Sequence, residues 1–379
     1  MRESVALYEL ELTRRIGSPY AVAFACARHA LAAILEAYGL TAGDQIVLSP
    51  LTCKVVPLAL LSIGIEPVYA DISADTLNLH GDAVSAAVSA RTRAVLFQHT
   101  YGYSAGVEDV AAACTRADAI LLEDCAQCLP MASALPSTRG AAAIFSNNLL
   151  KPLPAGSGGV AVTSDQKIYE RLRGTRATLP LPGTTTALRQ RAEAWVHAVL
   201  LHPRSYWPLL ALQRRFDDGY RARPIDREIA TEMTATDRQI SAWQARTGLA
   251  WMERLDTVAE HRRDCCREYT AALGGIGDLV MPAAEATQPL YYFPVLVDNK
   301  FELLERARKR LIELVAWPTR TPIYPLEHAE DLVRYGYEPG SCPEAERIAR
   351  RLVGLPTHLR ITPGTRRRVA SLFAGGGQT

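Results

Sequence analysis

A lysine in an apolar setting is the first residue of this sequence that points to chemistry. Lys151 lies in the segment LLKPLPAGSGG, between two leucines and a proline-rich stretch. An ammonium group held among apolar groups loses hydration, which favours the neutral amine and frees it as a nucleophile toward carbonyl carbons. The alternative is a surface lysine whose charged end extends from a loop into solvent.

Two carboxylates, Glu123 and Asp124, end the apolar run AILLED. The carboxyl ends of parallel strands face a ligand crevice, although a solvated strand end or a helix cap would also explain a single carboxylate. An amine that forms a Schiff base and an acid that keeps a pyridine nitrogen protonated are the pair that pyridoxal phosphate chemistry requires. The amides of Ala27 and Arg28, at the start of a predicted helix, add a site for the phosphate.

Only five of the 42 basic residues are lysines, so each can be considered individually. We expect Lys167, Lys300 and Lys309 to be solvated, because each lies in a polar turn or on a charged helix face. Lys54 opens a predicted helix before two valines and is expected to be partly buried. Lys151 therefore stands out as the candidate nucleophile.

Short apolar runs alternate with helical patterns between residues 20 and 165. The runs predicted as strands cover residues 21–25, 46–48, 67–72, 93–98, 119–124, 141–146 and 159–164, and the predicted helices cover 27–40, 54–63, 82–89 and 107–115. Continuous apolar strands separated by crossover helices predict an α/β fold with a mostly parallel sheet that helices flank on both faces.

The second half of the chain predicts a smaller α+β domain. A long helical pattern at 238–275 precedes a strand at 290–298 and helices at 301–314, 343–353 and 363–373. We place a large cofactor-binding domain at 1–250 and a small C-terminal domain at 251–379. Residues 178–230 form an insertion-like segment that either packs against the body or a dimer partner or lies on a membrane surface. Pro203 and Pro208 favour packing, because they interrupt an amphipathic helix.

Composition limits the class of protein. The 379 residues are 48% hydrophobic and carry a net charge of +2, which excludes a disordered chain and argues against a dedicated nucleic-acid binder. The N-terminal segment lacks the apolar core of a signal peptide, so we expect a soluble, cytoplasmic protein with reduced cysteines. Cys125 and Cys128 form one CxxC without a second pair, and we expect no metal site.

The order of the motifs resembles the DegT/DnrJ/EryC1/StrS family of fold-type-I pyridoxal-phosphate enzymes, which are mostly sugar aminotransferases. The matching segments are ARHAL at 27–31, QHTYG at 98–102, EDCAQ at 123–127, FSNNLLKPLPAGSGG at 145–159 and GLPTH at 354–358. The resemblance covers nearly the whole chain except about residues 178–230.

The resemblance implies a role for each matched residue. Lys151 is expected to form the aldimine with pyridoxal 5'-phosphate and, once displaced, to move the proton between the substrate carbon and the cofactor carbon. Asp124 is expected to pair with the pyridinium nitrogen. Gln127 is expected to contact the hydroxyl of the ring.

The phosphate site is implied in the same way. Ser146 and the amides of Ala27 and Arg28 are expected to hold the phosphate. Cys53 occupies a position where family members often place an aromatic ring against the cofactor. Asp237 aligns with an asparagine that commonly reaches the partner subunit's phosphate, and a carboxylate there would repel that group.

The resemblance further implies a homodimeric aminotransferase with shared active sites and a ping-pong cycle. Glutamate or glutamine would donate the amino group, and the acceptor would be a keto group on a sugar, nucleotide-linked or free, or on a cyclitol. Arg320 and Tyr324 in the loop WPTRTPIYP are candidate substrate contacts. The alternatives are a dehydratase, against which Lys151 argues because such members carry histidine there, and a non-catalytic homologue that binds the cofactor.

Overall fold

A seven-stranded sheet forms the centre of the first half of the chain. The computed structural model describes residues 2–132, 140–200, 225–234, 238–274 and 288–373. The strands are β1 (Tyr20–Phe24), β2 (Gln45–Leu48), β3 (Glu66–Tyr69), β4 (Thr92–Gln98), β5 (Ile120–Asp124), β6 (Ala142–Ser146) and β7 (Gly159–Thr163). Their order across the sheet is β1-β7-β6-β5-β4-β2-β3.

The strand directions confirm the predicted mostly parallel sheet. The pairs β2/β3, β2/β4, β4/β5 and β5/β6 are parallel, and β7 runs antiparallel to both of its neighbours, β1 and β6. The N-terminal residue of β7, Gly159, therefore lies opposite the C-terminal residues of β1 and β6, Phe24 and Ser146. The reversal of one strand brings these three ends to the same edge of the sheet.

Helices cover both faces of the sheet, which explains why its strands are apolar without alternation. The helices of this half are α1 (Arg2–Ile16), α2 (Ala27–Ala37), α3 (Val55–Leu61), α4 (Gly81–Ala87), α5 (Val107–Arg116), α6 (Gln166–Thr178) and α7 (Thr184–Leu200). Val22 and Phe24 pack with the buried side of α2, whereas Ala21 and Ala23 pack with α1. Successive residues of one strand thus enter two separate cores.

The chain then continues through α8 (Ile225–Thr234), α9 (Ala242–Met252) and α10 (Leu255–Leu273). A two-stranded antiparallel sheet follows, made of β8 (Tyr292–Leu296) and β9 (Leu352–Pro356), with α11 (Lys300–Lys309), α12 (Ala329–Leu332), α13 (Pro343–Arg351) and α14 (Pro363–Ala370). Apolar side chains of α10, α11 and α14 form one core with this sheet.

Two element predictions in this half were wrong. The pattern at 238–275 is two helices, the first begun by a capping box in which Ser241 and Gln244 satisfy each other's backbone N–H groups. The helix expected to reach residue 353 ends at Arg351, and Leu352 begins β9. The apolar residues of that strand continue the helical spacing, so periodicity alone could not separate the two elements.

The segment at 178–230 contains α7 and part of α8, and residues 201–224, with the two prolines considered above, lie outside the described residues. Residue 250 falls inside α9, and the division into domains at that position stays a prediction. None of the helices in the described ranges combines the length and hydrophobicity that crossing a bilayer requires.

One lysine lies in an environment that differs from the prediction. Lys167 and Lys309 are exposed, and Lys54 is buried with its Nζ 3.2 Å from Oε1 of Glu228. Lys300, which we expected to be solvated, is only 1% exposed. Its Nζ is covered by backbone carbonyls that come from later in the chain.

Candidate active site

The candidate site is a cavity of about 280 Å³ at the sheet edge where β1, β4, β5 and β6 end. Strand register places Gln98 beside Asp124 and Ser146 beside Gly159. The cavity is lined by every predicted cofactor contact in the described residues, namely Ala27, Arg28, Cys53, Asp124, Gln127, Ser146 and Lys151. The structure thus brings together residues that are far apart in the sequence.

Asp124 is the last residue of β5 and is 3% exposed. Its Oδ1 accepts a hydrogen bond from the backbone N–H of Ala126 at 2.8 Å. Burial raises the pKa of Asp124, whereas the Ala126 N–H and the positive charges of Lys151 and His99 act in the opposite direction. A buried carboxylate facing a lysine is a group that can hold a cationic ring nitrogen.

A fully buried pair, His99 and Glu123, lies behind Asp124. Nε2 of His99 is 2.7 Å from Oε2 of Glu123, and its Nδ1 is 3.1 Å from Oγ of Ser104. The other carboxylate oxygen of Glu123 accepts from the N–H of Gly140 at 2.5 Å. Both side chains therefore have hydrogen-bond partners at every polar atom that faces the interior.

The pair also affects charge at the site. Burial lowers the pKa of His99, but the Cys128 sulfur and the carboxylates of Glu123 and Asp124 raise it, and the net shift is upward. A positively charged His99 neutralises Glu123 and so reduces repulsion between two consecutive carboxylates. Sγ of Cys125 lies within 4.8 Å of the ligand atoms of His99 and Glu123, so the expected lack of a metal stays a prediction.

Gln127 is fixed by a backbone contact. Its Oε1 accepts the N–H of Tyr101 at 2.8 Å. Tyr101 has a φ of 57°, in the left-handed region that bulky residues rarely occupy. Because the side-chain oxygen of Gln127 is engaged, its amide nitrogen is the group that it can offer to a ligand in the cavity.

Lys151 lies in the loop that joins β6 to β7. The loop closes on itself, since Asn147 N–H donates to the carbonyl of Gly158 at 2.9 Å and Lys151 N–H donates to the carbonyl of Asn148 at 2.9 Å. The hydroxyl of Tyr291 donates to the carbonyl of Leu150. Lys151 is half-buried and lines both this cavity and the neighbouring larger one.

The N-terminus of α2 meets the start of β7 at the phosphate end of the predicted site. The first N–H groups of a helix have no acceptors within the helix, and they favour an anion. A Cβ added to Gly159 would lie 2.3 Å from both N and Cα of Ala27, so only glycine leaves room there. Nη1 of Arg28 is 2.5 Å from Oε2 of Glu232, while its Nε is buried with no acceptor among the described residues.

Cys53 and Tyr324 are joined through their backbones. Lys54 N–H donates to the carbonyl of Tyr324 at 2.8 Å, and Tyr324 N–H donates to the carbonyl of Thr52 at 2.8 Å. Both residues line a larger cavity of about 610 Å³ beside the first, and Cys53 lines both cavities. Burial raises the pKa of the Cys53 thiol and of the Tyr324 hydroxyl, which keeps both protonated at neutral pH.

One predicted substrate contact, Arg320, is not brought to the cavities. The guanidinium of exposed Arg320 lies 4.0 Å above the ring of Phe301, and Arg320 lines neither cavity. Its expected substrate contact therefore has no support in this arrangement. Asp237 lies outside the described residues.

Several lining residues were not anticipated from the sequence. Trp317 and Asn148 line both cavities, and Tyr291 and Tyr292 line the larger one. Asn148 lies three residues before Lys151, and Trp317 begins the loop that contains Tyr324. Their closeness in the sequence to predicted site residues could have indicated them.

The residues present fit pyridoxal phosphate on structural grounds. One cavity holds a lysine, a buried carboxylate, a serine and the N-terminus of α2. The buried Nε of Arg28, which has no acceptor among the described residues, lies at the helix terminus, where an anion is favoured, and Gly159 lets the start of β7 approach that terminus closely. The carboxylate and the anion site therefore suit opposite ends of a ring that carries a phosphate.

Comparisons with known proteins agree with the fold. A family model for the DegT/DnrJ/EryC1/StrS aminotransferase family matches residues 2–374. The spore coat polysaccharide biosynthesis protein SpsC of Bacillus subtilis is 25% identical over 364 residues, 93% of this chain and 84% of SpsC. The L-glutamine:2-deoxy-scyllo-inosose aminotransferase of Streptomyces kanamyceticus is 35% identical over 145 residues, 38% of this chain and 34% of that protein.

A solved structure shows the same fold. NtdA from Bacillus subtilis, with bound cofactor PMP, has a TM-score of 0.75 and 16% sequence identity, and the match covers 98% of this chain and 76% of NtdA. The predicted α/β fold class is confirmed by such matches. Since the family model spans nearly the entire chain, the protein belongs to the DegT/DnrJ/EryC1/StrS aminotransferase family, whose aminotransferases depend on pyridoxal phosphate.

Proposed function

We propose that this protein is a homodimeric aminotransferase that moves an amino group from glutamate or glutamine to a keto group of a sugar or cyclitol. The observation that carries the proposal is the shared cavity of Lys151, Asp124, Ser146 and the N-terminus of α2. These groups supply an amine, a counter-ion for a ring nitrogen and an anion site.

The relatives support the class of substrate. The Streptomyces kanamyceticus relative is named for L-glutamine and 2-deoxy-scyllo-inosose, and SpsC is named for polysaccharide biosynthesis. These names favour glutamine or glutamate as the donor and a sugar or cyclitol as the acceptor. Exposed Leu7 and Leu10 on α1 offer apolar surface that is consistent with a dimer contact.

Lys151 has two tasks in the proposed reaction. In the resting enzyme its Nζ would form the attachment to the cofactor. When the amino substrate has taken that place, the freed amine would accept the proton from the substrate carbon that bears nitrogen and would give it up on the cofactor side. When bound, pyridoxal phosphate supplies the electron sink that accepts the electron pair left by that proton. The half-buried position of Lys151 limits the water that competes for the proton.

Asp124, Gln127 and the phosphate site hold the reacting groups in place. The carboxylate of Asp124 would hold the proton on the ring nitrogen, and the amide nitrogen of Gln127 would donate to the ring oxygen. Ser146 and the N–H groups of Ala27 and Arg28 would bind the phosphate. Each contact acts from a fixed backbone position, so little reorganisation is required during the reaction.

The larger cavity is the proposed place for the substrate. Its lining includes Lys151 and four aromatic residues, Tyr291, Tyr292, Trp317 and Tyr324. Aromatic faces suit the C–H surface of a sugar or cyclitol ring, and tyrosine hydroxyls suit its hydroxyl groups. This lining supports a cyclic polyol as acceptor.

The attachment at Lys151 is tested by reduction. Wild-type protein, Lys151→Ala and Lys167→Ala are each mixed with pyridoxal phosphate and treated with borohydride, and the modified peptide is identified by mass spectrometry. We expect a pyridoxyl group on Lys151 in the wild type and in Lys167→Ala, whose exposed lysine is the matched control. Labelling of another lysine only, or none, would contradict the assignment.

The amino transfer is tested by two half-reactions. Glutamate or glutamine should bleach the visible band of the loaded protein, and a keto cyclitol or a keto sugar should restore it. Persistence of the band with all amino acids would favour a non-catalytic homologue. Release of a deoxy-sugar product, which has lost one hydroxyl group as water, without net amino transfer would favour a dehydratase. Sedimentation velocity tests the dimer.

A further inference from the structure

Lys300 is a buried ionisable group that the proposed reaction does not use. It begins α11, yet its Nζ donates to three backbone carbonyls, those of Pro318 at 2.7 Å and of Thr319 and Ala349 at 2.8 Å each. An ammonium has three N–H donors, so each of them has an acceptor. Burial, and then the charge of Arg320, lowers the pKa of Lys300 to about 7. Three carbonyl acceptors around one Nζ are nevertheless an arrangement that suits the ammonium form.

Two of the three carbonyls belong to the segment that forms a wall of the cavities. Val315, near one end of the segment, exchanges backbone hydrogen bonds with Gly354 of β9 at 2.9 and 2.8 Å. Tyr324, near the other end, bonds to the backbone of Thr52 and Lys54. Trp317 lies between these attachments and lines both cavities.

Trp317 is held from its other side by Tyr101. The hydroxyl of Tyr101 donates to the carbonyl of Trp317, and the N–H of Tyr101 donates to Oε1 of Gln127. The left-handed backbone of Tyr101 persists because its buried side chain and both of these hydrogen bonds define its position. Backbone and side-chain contacts therefore connect Gln127, at the cofactor cavity, with Lys300.

We propose that Lys300 is a positioning residue that fixes the backbone after Trp317 and so sets the shape of the substrate side of the site. The inference rests on the proposed function for its kinetic consequence. Lys300 lines neither cavity, so it acts through Trp317 and contacts neither substrate nor cofactor. Its removal should weaken substrate binding while the proton transfer at Lys151 continues.

Three substitutions separate this role from simple filling of the core. Lys300→Met keeps a long unbranched side chain and removes the three donors. Tyr101→Phe removes the hydroxyl that holds Trp317 from the other side and keeps the ring. Lys309→Met changes an exposed lysine at the end of the same helix and is the matched control.

The kinetic readout compares the change in KM with the change in kcat. For Lys300→Met we expect KM for the keto acceptor to rise about tenfold, the loss expected for a misplaced wall of a binding site, with kcat within about twofold. Lys309→Met should leave both unchanged. A fall in kcat with KM unchanged would overturn the proposal.

A second readout needs no activity. Acrylamide quenching of tryptophan fluorescence is measured in the apoprotein, and the Trp317 contribution is obtained by difference from Trp317→Phe. We expect Trp317 to be quenched more strongly in Lys300→Met and Tyr101→Phe than in the wild type and Lys309→Met. Unchanged quenching in a folded Lys300→Met that merely melts at lower temperature would overturn the proposal.

The two readouts distinguish a failure of the positioning role from a failure of the proposed function. If Lys300→Met does not fold, Tyr101→Phe decides, and unchanged quenching there overturns the positioning role. If wild-type protein transfers no amino group, the proposed function fails, and quenching still decides the role of Lys300.

Discussion

Gly159 and Ala27 are in direct backbone contact, because a Cβ on Gly159 would lie 2.3 Å from N and Cα of Ala27. Gly159 begins β7 and Ala27 begins α2, so this contact joins the loop that carries Lys151 to the helix terminus that faces the cavity. Closeness of the two backbones sets the position of the N–H groups that would bind phosphate.

Gly159→Ala should therefore weaken cofactor binding. The added methyl cannot be accommodated without moving α2, and such overpacking costs about 1–3 kcal/mol of folding free energy. We expect affinity for pyridoxal phosphate to fall about tenfold or more, measured by fluorescence titration. Gly174→Ala is the control, since nothing lies within 4 Å of its Cβ position. Unchanged affinity in a folded Gly159→Ala would contradict the phosphate assignment.

Asp124→Asn should stabilise the apoprotein at neutral pH while it removes activity. Burial raises the pKa of Asp124, so its ionised form destabilises the fold. Below the unfolded pKa, about 3.9, both states are protonated and this penalty vanishes; it grows as pH rises through the folded pKa. Asparagine keeps an acceptor for Ala126 N–H. Activity should fall by about 10²–10³.

The measurement is the melting temperature of apo wild type and apo Asp124→Asn between about pH 3 and 8, so that the range starts about one unit below the unfolded pKa of the carboxyl. The difference should be near zero at the acidic end and should increase with pH. A variant that is less stable than the wild type at neutral pH would show that Asp124 stabilises the apoprotein.

The His99 and Glu123 pair should behave as a coupled unit. His99→Leu leaves a buried carboxylate without its partner, which costs about 3–5 kcal/mol of folding free energy. The double variant with Glu123→Leu should recover much of that loss, because removal of both charges leaves neither unpaired. Urea unfolding of the single and double variants provides the cycle. Additive losses would indicate that the two side chains do not interact.

Much of the large sheet could be predicted from the sequence because its strands are buried on both faces. Runs such as AILLED are apolar throughout, and every strand predicted between residues 20 and 165 overlaps an observed one. The same apolar runs predicted where two site residues lie, since Asp124 ends a strand and Ala27 begins the helix that follows another. Local sequence was sufficient where one element positions one residue.

Residues whose environment comes from distant segments could not be predicted. Lys300 follows Asp298 and Asn299, which are typical of a solvated turn, yet its acceptors lie at Pro318, Thr319 and Ala349. The position of Arg320 could not be predicted for a related reason. Its place over Phe301 depends on how that loop returns to α11.

The helix α1 was missed because charged residues are distributed around it, and only a few positions, such as Tyr8 and Leu12, are fully buried. A weak apolar stripe does not stand out in a single sequence. The side chain of Tyr8 nevertheless reaches Asn147 in the lysine loop, whose Nδ2 donates to its hydroxyl.

The antiparallel direction of β7 has a consequence for how this enzyme can change. Because β6 and β7 form a hairpin, the loop that carries Lys151 leaves and re-enters the sheet at one edge, where Asn147 and Gly158 close it. Lengthening such a closed loop raises the entropic cost of closing it only slightly and leaves the strand order intact. Evolution can therefore remodel the surroundings of the nucleophile by insertion or deletion without refolding the sheet.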